Sequence, residues 1–162
     1  MSKKDLFIVR HAKAESGSRV LDFDRKLSYQ GINEATQMAQ KIKDYEIQPT
    51  FLVTSPAKRA LGTAEIFAEI LQIPISKIEQ VNEIYESEVD ILMDIIHGLD
   101  EQHDSVAIFG HNPEIIMLAF QLSELSIEGF PTCAVAHLHF PEASSWQLIN
   151  PQSGKLRLFI HP

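Results

Sequence analysis

Short apolar runs alternate along this chain with longer segments of helical period. Three of the runs are interpreted as buried strands, at residues 6–9 (LFIV), 51–54 (FLVT) and 106–110 (VAIFG), and a weaker strand is predicted at 78–81 (IEQV). Strands that alternate with crossover helices indicate a largely parallel sheet with helices on both faces. We therefore predict an α/β fold, a three-layer α/β/α sandwich around a mostly parallel central sheet.

The segments between these strands have the apolar spacing of amphipathic helices. The predicted helices span residues 27–46, 57–71, 88–99 and 114–125. Asn112 is the expected N-cap of the fourth helix, with Pro113 at its first position, and Pro56 stands where the second helix would begin. Three further strands are predicted in a terminal meander, at 134–140, 144–150 and 156–160.

The composition is that of an ordinary globular domain. The chain has 162 residues, 44% hydrophobic and 22% charged, which fits one domain over residues 1–162. The formal net charge of -8 argues against nonspecific nucleic-acid binding, although a few cations can still converge on a phosphate. No apolar run approaches the ~20 residues of a membrane helix. A single cysteine, Cys133, and the lack of a secretory signal pattern lead us to expect a cytoplasmic protein.

Basic and imidazole side chains follow the three apolar strands. The residues at these strand ends are Arg10 and His11, then Ser55 and Arg59, then His111. Ligands of open parallel sheets bind outside the carboxyl ends of the strands, where the free N–H groups of helix starts favour anions. We therefore expect these five side chains to converge on one anion.

Such a set of side chains suits phosphoryl transfer through a covalent histidine. A neutral imidazole is a competent nucleophile near neutral pH because its unperturbed pKa is ~6.5. The planar guanidinium groups of Arg10 and Arg59 can each hold two phosphate oxygens, and a second histidine, if protonated, adds charge in the transition state. Catalysis of this kind is mostly positioning and electrostatics, so we expect neither metal nor cofactor.

Three motifs together resemble one known family. They are Arg10-His11-Ala12, the segment SPAKRALGTA at residues 55–64, and GHNP at residues 110–113. Their order, spacing and strand context resemble the histidine phosphatase superfamily, with its phosphoglycerate-mutase-like fold, and most of all the short SixA-type phosphohistidine phosphatases. The resemblance covers nearly the whole chain. Ala12 stands where much of the superfamily has glycine, and SixA-like members often carry alanine there.

The resemblance implies roles for individual residues. His11 would be the nucleophile that becomes phosphohistidine, while Arg10, Arg59 and His111 would form the phosphate pocket. The stretch DFDRKLSYQG also resembles a SixA-type DxxRxLTxxG segment, which implies that Arg25 lies near the pocket rim.

The general acid is less constrained by the sequence. In larger family members it comes from a segment that VNEIYES, residues 81–87, resembles, which nominates Glu83. A solvated carboxylate after a strand is the alternative interpretation of Glu83, and Glu86 and Glu88 are lesser candidates. The acid matters less for phosphohistidine, because its imidazole leaves more readily than an alkoxide.

The length of the chain bears on the substrate. Between the helix that carries Arg59 and the strand at 106–110 there is room only for one weak strand and one helix, whereas many larger relatives insert a helical lid. An uncovered pocket would admit a phosphorylated side chain on a protein and select small metabolites poorly. We predict a phosphatase acting on phosphohistidine, or another phosphorylated residue, of a partner protein. The alternatives are a broad small-molecule phosphomonoesterase or mutase-like enzyme, and a phosphate-dependent binding module without turnover.

The remaining polar residues have simpler interpretations. His137 and His139 share one strand face, a spacing that can bind zinc, but a sheet-surface position is favoured because no third ligand is evident. Ser55 is interpreted first as a helix cap, which is compatible with a phosphate contact. Cys133 is expected to pack as a small apolar residue.

Overall fold

A six-stranded sheet is the central feature of the computed structural model, which describes residues 3–17, 19–124 and 126–162. The strands are β1 (Lys4–Arg10), β2 (Phe51–Thr54), β3 (Ile78–Gln80), β4 (Ser105–Gly110), β5 (Val135–Phe140) and β6 (Lys155–Ile160). They lie in the order β3-β2-β4-β1-β5-β6. The pairs β2–β3, β2–β4 and β1–β4 are parallel, whereas β5 is antiparallel to both of its neighbours. The predicted mostly parallel sheet is confirmed.

Four helices in the described part of the chain cover the two faces of this sheet. They are α1 (Tyr29–Lys43), α2 (Lys58–Leu71), α3 (Val89–His97) and α4 (Glu114–Leu122). Successive residues of a strand point to opposite faces, so Phe7 and Val9 of β1 pack with α1 and α2, while Leu6 and Ile8 pack with α3 and α4. The three-layer α/β/α prediction is therefore confirmed. In the described ranges we find no helix with the length and hydrophobicity to cross a membrane.

One predicted strand is wrong. Residues 144–150 form no strand, and Trp146–Leu148 is instead a 3-10 helix. Trp146 is fully buried, and its indole N–H donates to the carbonyl oxygen of His103 at 2.7 Å. The apolar pattern there reflects the burial of one large side chain rather than the alternation of a strand. Helix α4 ends at Leu122, before the predicted end at Leu125, which lies outside the described residues.

The helix starts at the carboxyl edge of the sheet also differ from expectation. Helix α2 begins beyond Pro56, and α4 begins immediately after Pro113. Asn112 does not cap α4: Pro113 is at the N-cap, Asn112 Oδ1 has no hydrogen-bond partner among the described residues, and its amide N–H donates to the carbonyl oxygen of Phe130 at 2.9 Å. The turns before both helices are therefore held by contacts outside the helices that follow them.

The parallel strands bring three chain segments to one edge of the sheet. The backbone N–H of His11, just after β1, donates to the carbonyl oxygen of Gly110 at the end of β4 at 3.0 Å. The backbone N–H of Ser55, just after β2, donates to the carbonyl oxygen of Phe109 at 3.0 Å. The residues that follow β1, β2 and β4 are consequently neighbours in space.

Candidate active site

The imidazole ring of His11 is held in one orientation by the backbone carbonyl group of the next residue. The ring is 8% exposed, and its Nδ1 lies 2.7 Å from the carbonyl oxygen of Ala12. A carbonyl oxygen only accepts, so Nδ1 carries the proton and Nε2 keeps its lone pair. Burial lowers the pKa of His11 to about 4, and the nearby charges of Arg59 and Arg10 act in the same direction. At neutral pH the ring is therefore neutral, with Nε2 available as a nucleophile.

His111 faces the same space from the end of β4. Its ring centroid is 5.2 Å from that of His11, and its Nε2 lies 2.8 Å from Ser55 Oγ. Ser55 Oγ accepts from the backbone N–H of Ala57 at 3.2 Å, and we assign its hydroxyl hydrogen to Nε2 because this buried hydrogen needs an acceptor. The proton of His111 is then on Nδ1. This atom is buried and has no hydrogen-bond partner among the described residues. Burial, together with His11, lowers the pKa of His111 to about 3.

Arg10 and Arg59 each present an unpaired N–H group. Nη1 of Arg10 donates to the carbonyl oxygen of Phe130 at 3.1 Å. The two terminal nitrogens of Arg59 donate to Asp22, Nη1 to the backbone oxygen at 2.7 Å and Nη2 to Oδ2 at 2.9 Å. In both arginines Nε is buried without a partner in the described ranges. Buried donors are normally paired, and the guanidinium edge that contains Nε can grip two oxygens of an anion.

Asp22 is a further residue of the site, and the sequence patterns assigned it no role. It lies in a 3-10 helix, Asp22–Asp24, where Oδ2 accepts from Tyr85 Oη at 2.8 Å as well as from Arg59. The hydrogen bond from Tyr85, followed by those from Arg59 and Arg25, lowers the pKa of Asp22 to about 2. Its only sequence signal was the first position of the DxxR stretch, because Arg59 and Tyr85 are 37 and 63 residues away along the chain.

Arg25 and Ser55 both lie beside the residues of the site. Arg25 Nε donates to Asp22 Oδ1 at 3.1 Å, and Nη1 donates to the carbonyl oxygen of Glu15 at 3.3 Å. The charge of Arg25 also contributes to the lowered pKa of His11. The expected helix cap is wrong, because the N-cap of α2 is Ala57; the hydroxyl of Ser55 instead accepts from the N–H of Ala57 in the turn before the helix and contacts the ring of His111.

Glu83 is close to the site along the chain but makes no contact with it. It lies in the 3-10 helix Asn82–Ile84, where its carboxylate is exposed and forms no hydrogen bond or ion pair within the described ranges. Tyr85, two residues later, packs edge-on against His111 with ring centroids 5.7 Å apart. The neighbour of Glu83 thus reaches the pocket while Glu83 faces solvent.

His137 and His139 lie at the other end of the sheet from His11. Asp5 Oδ1 accepts from His137 Nε2 at 2.7 Å and from His139 Nδ1 at 2.9 Å. His137 is fully buried, so the expected sheet-surface position is wrong for it. No cluster of three or more potential metal ligands occurs in the part of the chain that the structure describes. Cys133 is buried among apolar residues, as expected, and burial raises its pKa.

Comparison with known proteins identifies the family. The model of the histidine phosphatase superfamily (branch 1) matches residues 6–92, a span that includes His11 and Arg59. The chain belongs to the histidine phosphatase superfamily. Phosphoglycerate mutase 1 of Saccharomyces cerevisiae, a curated relative, is 34% identical over 84 residues. That match covers 48% of this chain and 34% of the mutase, so the chain corresponds to about a third of its relative.

Solved structures of SixA proteins share the whole fold. A protein assigned as the phosphohistidine phosphatase SixA of Nakamurella multipartitia has a TM-score of 0.84 at 22% identity, over 100% of this chain and 98% of that one. The corresponding protein of Agrobacterium tumefaciens has a TM-score of 0.80 at 25% identity, over 98% of each chain. The protein histidine phosphatase SixA in complex with tungstate has a TM-score of 0.81 at 24% identity, over 97% of this chain and 96% of that one. The resemblance drawn from the three motifs is confirmed.

Proposed function

We propose that this protein is a phosphatase in which His11 accepts the phosphoryl group, and that its substrate is phosphohistidine on a protein. One observation carries the proposal. The carbonyl oxygen of Ala12 accepts the Nδ1 proton of His11, so Nε2 stays unprotonated. In the described part of the chain, Nε of Arg10, Nε of Arg59 and Nδ1 of His111 have no hydrogen-bond partner. A phosphoryl group would supply the acceptors that these donors lack. Membership of the superfamily and the fold shared with SixA structures support the same activity.

In the first step, Nε2 of His11 attacks phosphorus in line with the leaving group. A P–N bond to His11 forms as the bond from phosphorus to the leaving atom breaks. The Nε edges of Arg10 and Arg59 and the Nδ1–H of His111 would donate to the phosphoryl oxygens. Donors positioned before the reaction stabilise the charge of the transition state without reorganisation.

The proton balance explains why phosphohistidine suits this site. A phosphoimidazole that carries a proton on its other ring nitrogen departs as neutral imidazole. His11 keeps its Nδ1 proton and becomes a phosphorylated imidazolium. Water then attacks phosphorus, the bond to Nε2 breaks, dihydrogen phosphate leaves and His11 returns to its neutral form. Neither step requires a proton donor from the protein.

Phosphate esters differ in this respect, because a departing alkoxide must gain a proton. For an ester substrate the carboxyl group of Glu83 would have to turn from solvent towards the pocket to supply this proton, since Glu83 is exposed and makes no contact with the site in this structure. The requirement makes a phosphomonoesterase the less favoured alternative.

The mutase-like alternative requires a shielded phosphohistidine intermediate. A mutase must keep that intermediate from water until it returns the phosphoryl group, which requires closure of the pocket. Between α2 and β4, residues 72–104 form only β3, α3 and two 3-10 helices. A helical lid is therefore missing from this segment, which favours hydrolysis.

The test is a rapid-quench experiment with a radiolabelled histidine-phosphorylated phosphotransfer protein. We expect a transient enzyme-bound phosphate that is labile in acid and stable in alkali. The variant His11→Ala should form none and lose about 10³-fold or more in turnover. The matched control is His161→Ala, which removes an exposed histidine just after β6, two strands away from β1 in the sheet, and should label like the wild type.

Two other results would change the assignment. Tight binding of the phosphorylated protein with neither label nor turnover would identify a binding module. Turnover that persists undiminished in His11→Ala would show that His11 is not the nucleophile.

A further inference from the structure

The charges around the pocket are unequally exposed. The side chain of Asp22 is 55% exposed, whereas those of Arg59 and Arg25, with which it pairs, are 7% and 30% exposed. The arginines of this cluster therefore lie deeper than the carboxylate. A phosphoryl group at the bottom of the pocket would lie beside the guanidinium groups. The group attached to it would lie beside the carboxylate of Asp22.

Two further carboxylates flank Tyr85 along the chain. Glu83 and Glu86 are exposed on either side of Tyr85 along the chain. Tyr85 donates to Asp22, and this bond together with the charge of Glu86 raises the pKa of Tyr85. We call Asp22 and Glu86, the two carboxylates that act on Tyr85, the acidic rim.

The arginines next to Asp22 are already engaged. Arg25 contacts Asp22 Oδ1 through two nitrogens: Nε donates a hydrogen bond at 3.1 Å, and Nη2 forms an ion pair at 3.0 Å. Arg59 gives both terminal nitrogens to Asp22 and retains its buried Nε. A substrate carboxylate at this rim would have to break these bonds to find a cation, and it would meet Asp22 itself.

An aromatic pair lies beside the carboxylate. The rings of Phe23 and Tyr85 meet edge to face with centroids 5.2 Å apart, and Phe23 is 37% exposed. An exposed aromatic ring next to an anion suits a group that carries positive charge or an N–H donor, because the face of the ring attracts both.

We propose that Asp22 sets the leaving-group specificity of this site, favouring leaving groups that are cationic and disfavouring those that carry a carboxylate. The proposal rests on the proposed phosphatase function and narrows it. Accepted substrates would be phosphoryl derivatives of basic, nitrogen-containing groups. Phosphorylated sugar acids would be poor substrates.

The test uses three aryl phosphates of one shape: phenyl phosphate, para-(aminomethyl)phenyl phosphate and para-carboxyphenyl phosphate. For the wild type, we expect kcat/KM to be highest for the amine and lowest for the carboxylate. In Asp22→Asn the amine-to-carboxylate ratio of kcat/KM should fall about tenfold, the size expected for one partly screened charge acting on both probes. The same ratio for the wild type should fall as the salt concentration rises, because exposed charges are screened.

Asp24→Asn is the matched control. It removes the same charge from the same 3-10 helix, but Asp24 pairs with Lys58 and not with the pocket arginines. Its ratio should stay within about twofold of the wild-type value. If Asp22→Asn lowers kcat/KM equally for all three probes, Asp22 only holds Arg59 in place and the specificity proposal is overturned. A wild-type ratio that does not respond to salt also overturns it.

A binding measurement separates this proposal from the phosphatase function. Dissociation constants of the three probes can be measured calorimetrically with His11→Ala and with His11→Ala/Asp22→Asn, neither of which has the proposed nucleophile. If the amine probe binds most tightly to His11→Ala and this preference is lost in His11→Ala/Asp22→Asn, the specificity role is supported. This holds even if the wild type hydrolyses none of the probes. Equal affinities for all three probes in both variants contradict it even if the wild type is an active phosphatase.

Discussion

His11 and His111 are neutral in the unliganded pocket because of their immediate surroundings. Both rings are removed from water next to Arg10 and Arg59, so a proton on either ring is costly. The neutral state makes His11 a nucleophile and leaves His111 a hydrogen-bond donor. It also couples the stability of the fold to pH.

We expect this coupling to appear as a loss of stability in acid. The pKa of His11 falls from an ordinary value of 6.5 to about 4 on folding, so between these values the unfolded chain binds more protons. The free energy of unfolding should therefore fall as the pH falls through this window, by about 3 kcal/mol from His11. Urea titrations across the window should show a shallower fall for His11→Asn. The free energy of unfolding of the exposed control His161→Asn should depend on pH as that of the wild type does. The same pH dependence in all three proteins would rule out the coupling to His11.

At the scale of elements, the start of α1 packs directly on the loop that follows His11. Ser28 caps the helix by accepting from the N–H of Gly31 at 3.0 Å, and its hydroxyl donates to the carbonyl oxygen of Lys13 at 3.1 Å. A Cβ atom on Gly31 would lie only 2.0 Å from that same carbonyl oxygen. Glycine is needed here for the close approach of two backbones. The contact connects α1 to the loop that follows the proposed nucleophile.

Gly31→Ala tests this contact, because two effects of opposite sign compete. Alanine is favoured over glycine in a helix by about 1 kcal/mol, but displacing the backbone of Lys13 costs about 1–3 kcal/mol. We expect the clash to dominate, so the variant should be less stable in urea and should lose kcat/KM as the loop moves. Gly129→Ala is the control, since a Cβ there meets nothing within 4 Å. Equal or higher stability of Gly31→Ala would mean that the loop moves aside freely.

At the scale of the whole molecule, the two ends of the sheet hold different polar clusters. The carboxyl end of β1 has the candidate active site, and the other end joins three elements through Asp5 and His137. Tyr45, just after α1, lies with its Oη 2.9 Å from His137 Nδ1, while Asp5 of β1 accepts from His137 and His139 of β5. This buried network connects the helical layer to the sheet far from the pocket.

We predict that Asp5→Asn weakens the fold without altering the chemistry. Burial alone would raise the pKa of Asp5, but the hydrogen bonds from His137 and His139 outweigh it and leave the pKa below 3.8. The carboxylate therefore stabilises the fold above pH 3.8, and this contribution disappears as the pH falls through the lowered pKa. The variant should lose about 1–3 kcal/mol at neutral pH, and the difference should shrink in acid.

Chemical denaturation and phosphatase assays together check this expectation. Asp94→Asn, an exposed substitution on α3, should leave the stability within about 0.5 kcal/mol of the wild type. A large loss of kcat/KM in well-folded Asp5→Asn would contradict the separation of the two ends of the sheet.

The sequence by itself determined the layers of the fold and the residues at the strand ends. The spacing of apolar residues and the alternation of strands with helices are local properties of the sequence. Parallel strands then bring their carboxyl ends to one edge of the sheet. Arg10, His11, Arg59 and His111 could therefore be named in advance, and their motifs indicated the family.

Only the tertiary structure decided what surrounds these residues. Asp22 meets Arg59 and Tyr85 across 37 and 63 residues, a distance over which no local pattern operates. The burial of His137 and Trp146 likewise depends on the packing of elements from other parts of the chain. The protonation states of His11 and His111 likewise depend on the tertiary structure. A lowered pKa results from desolvation and from neighbouring charges, and both exist only after the layers have assembled.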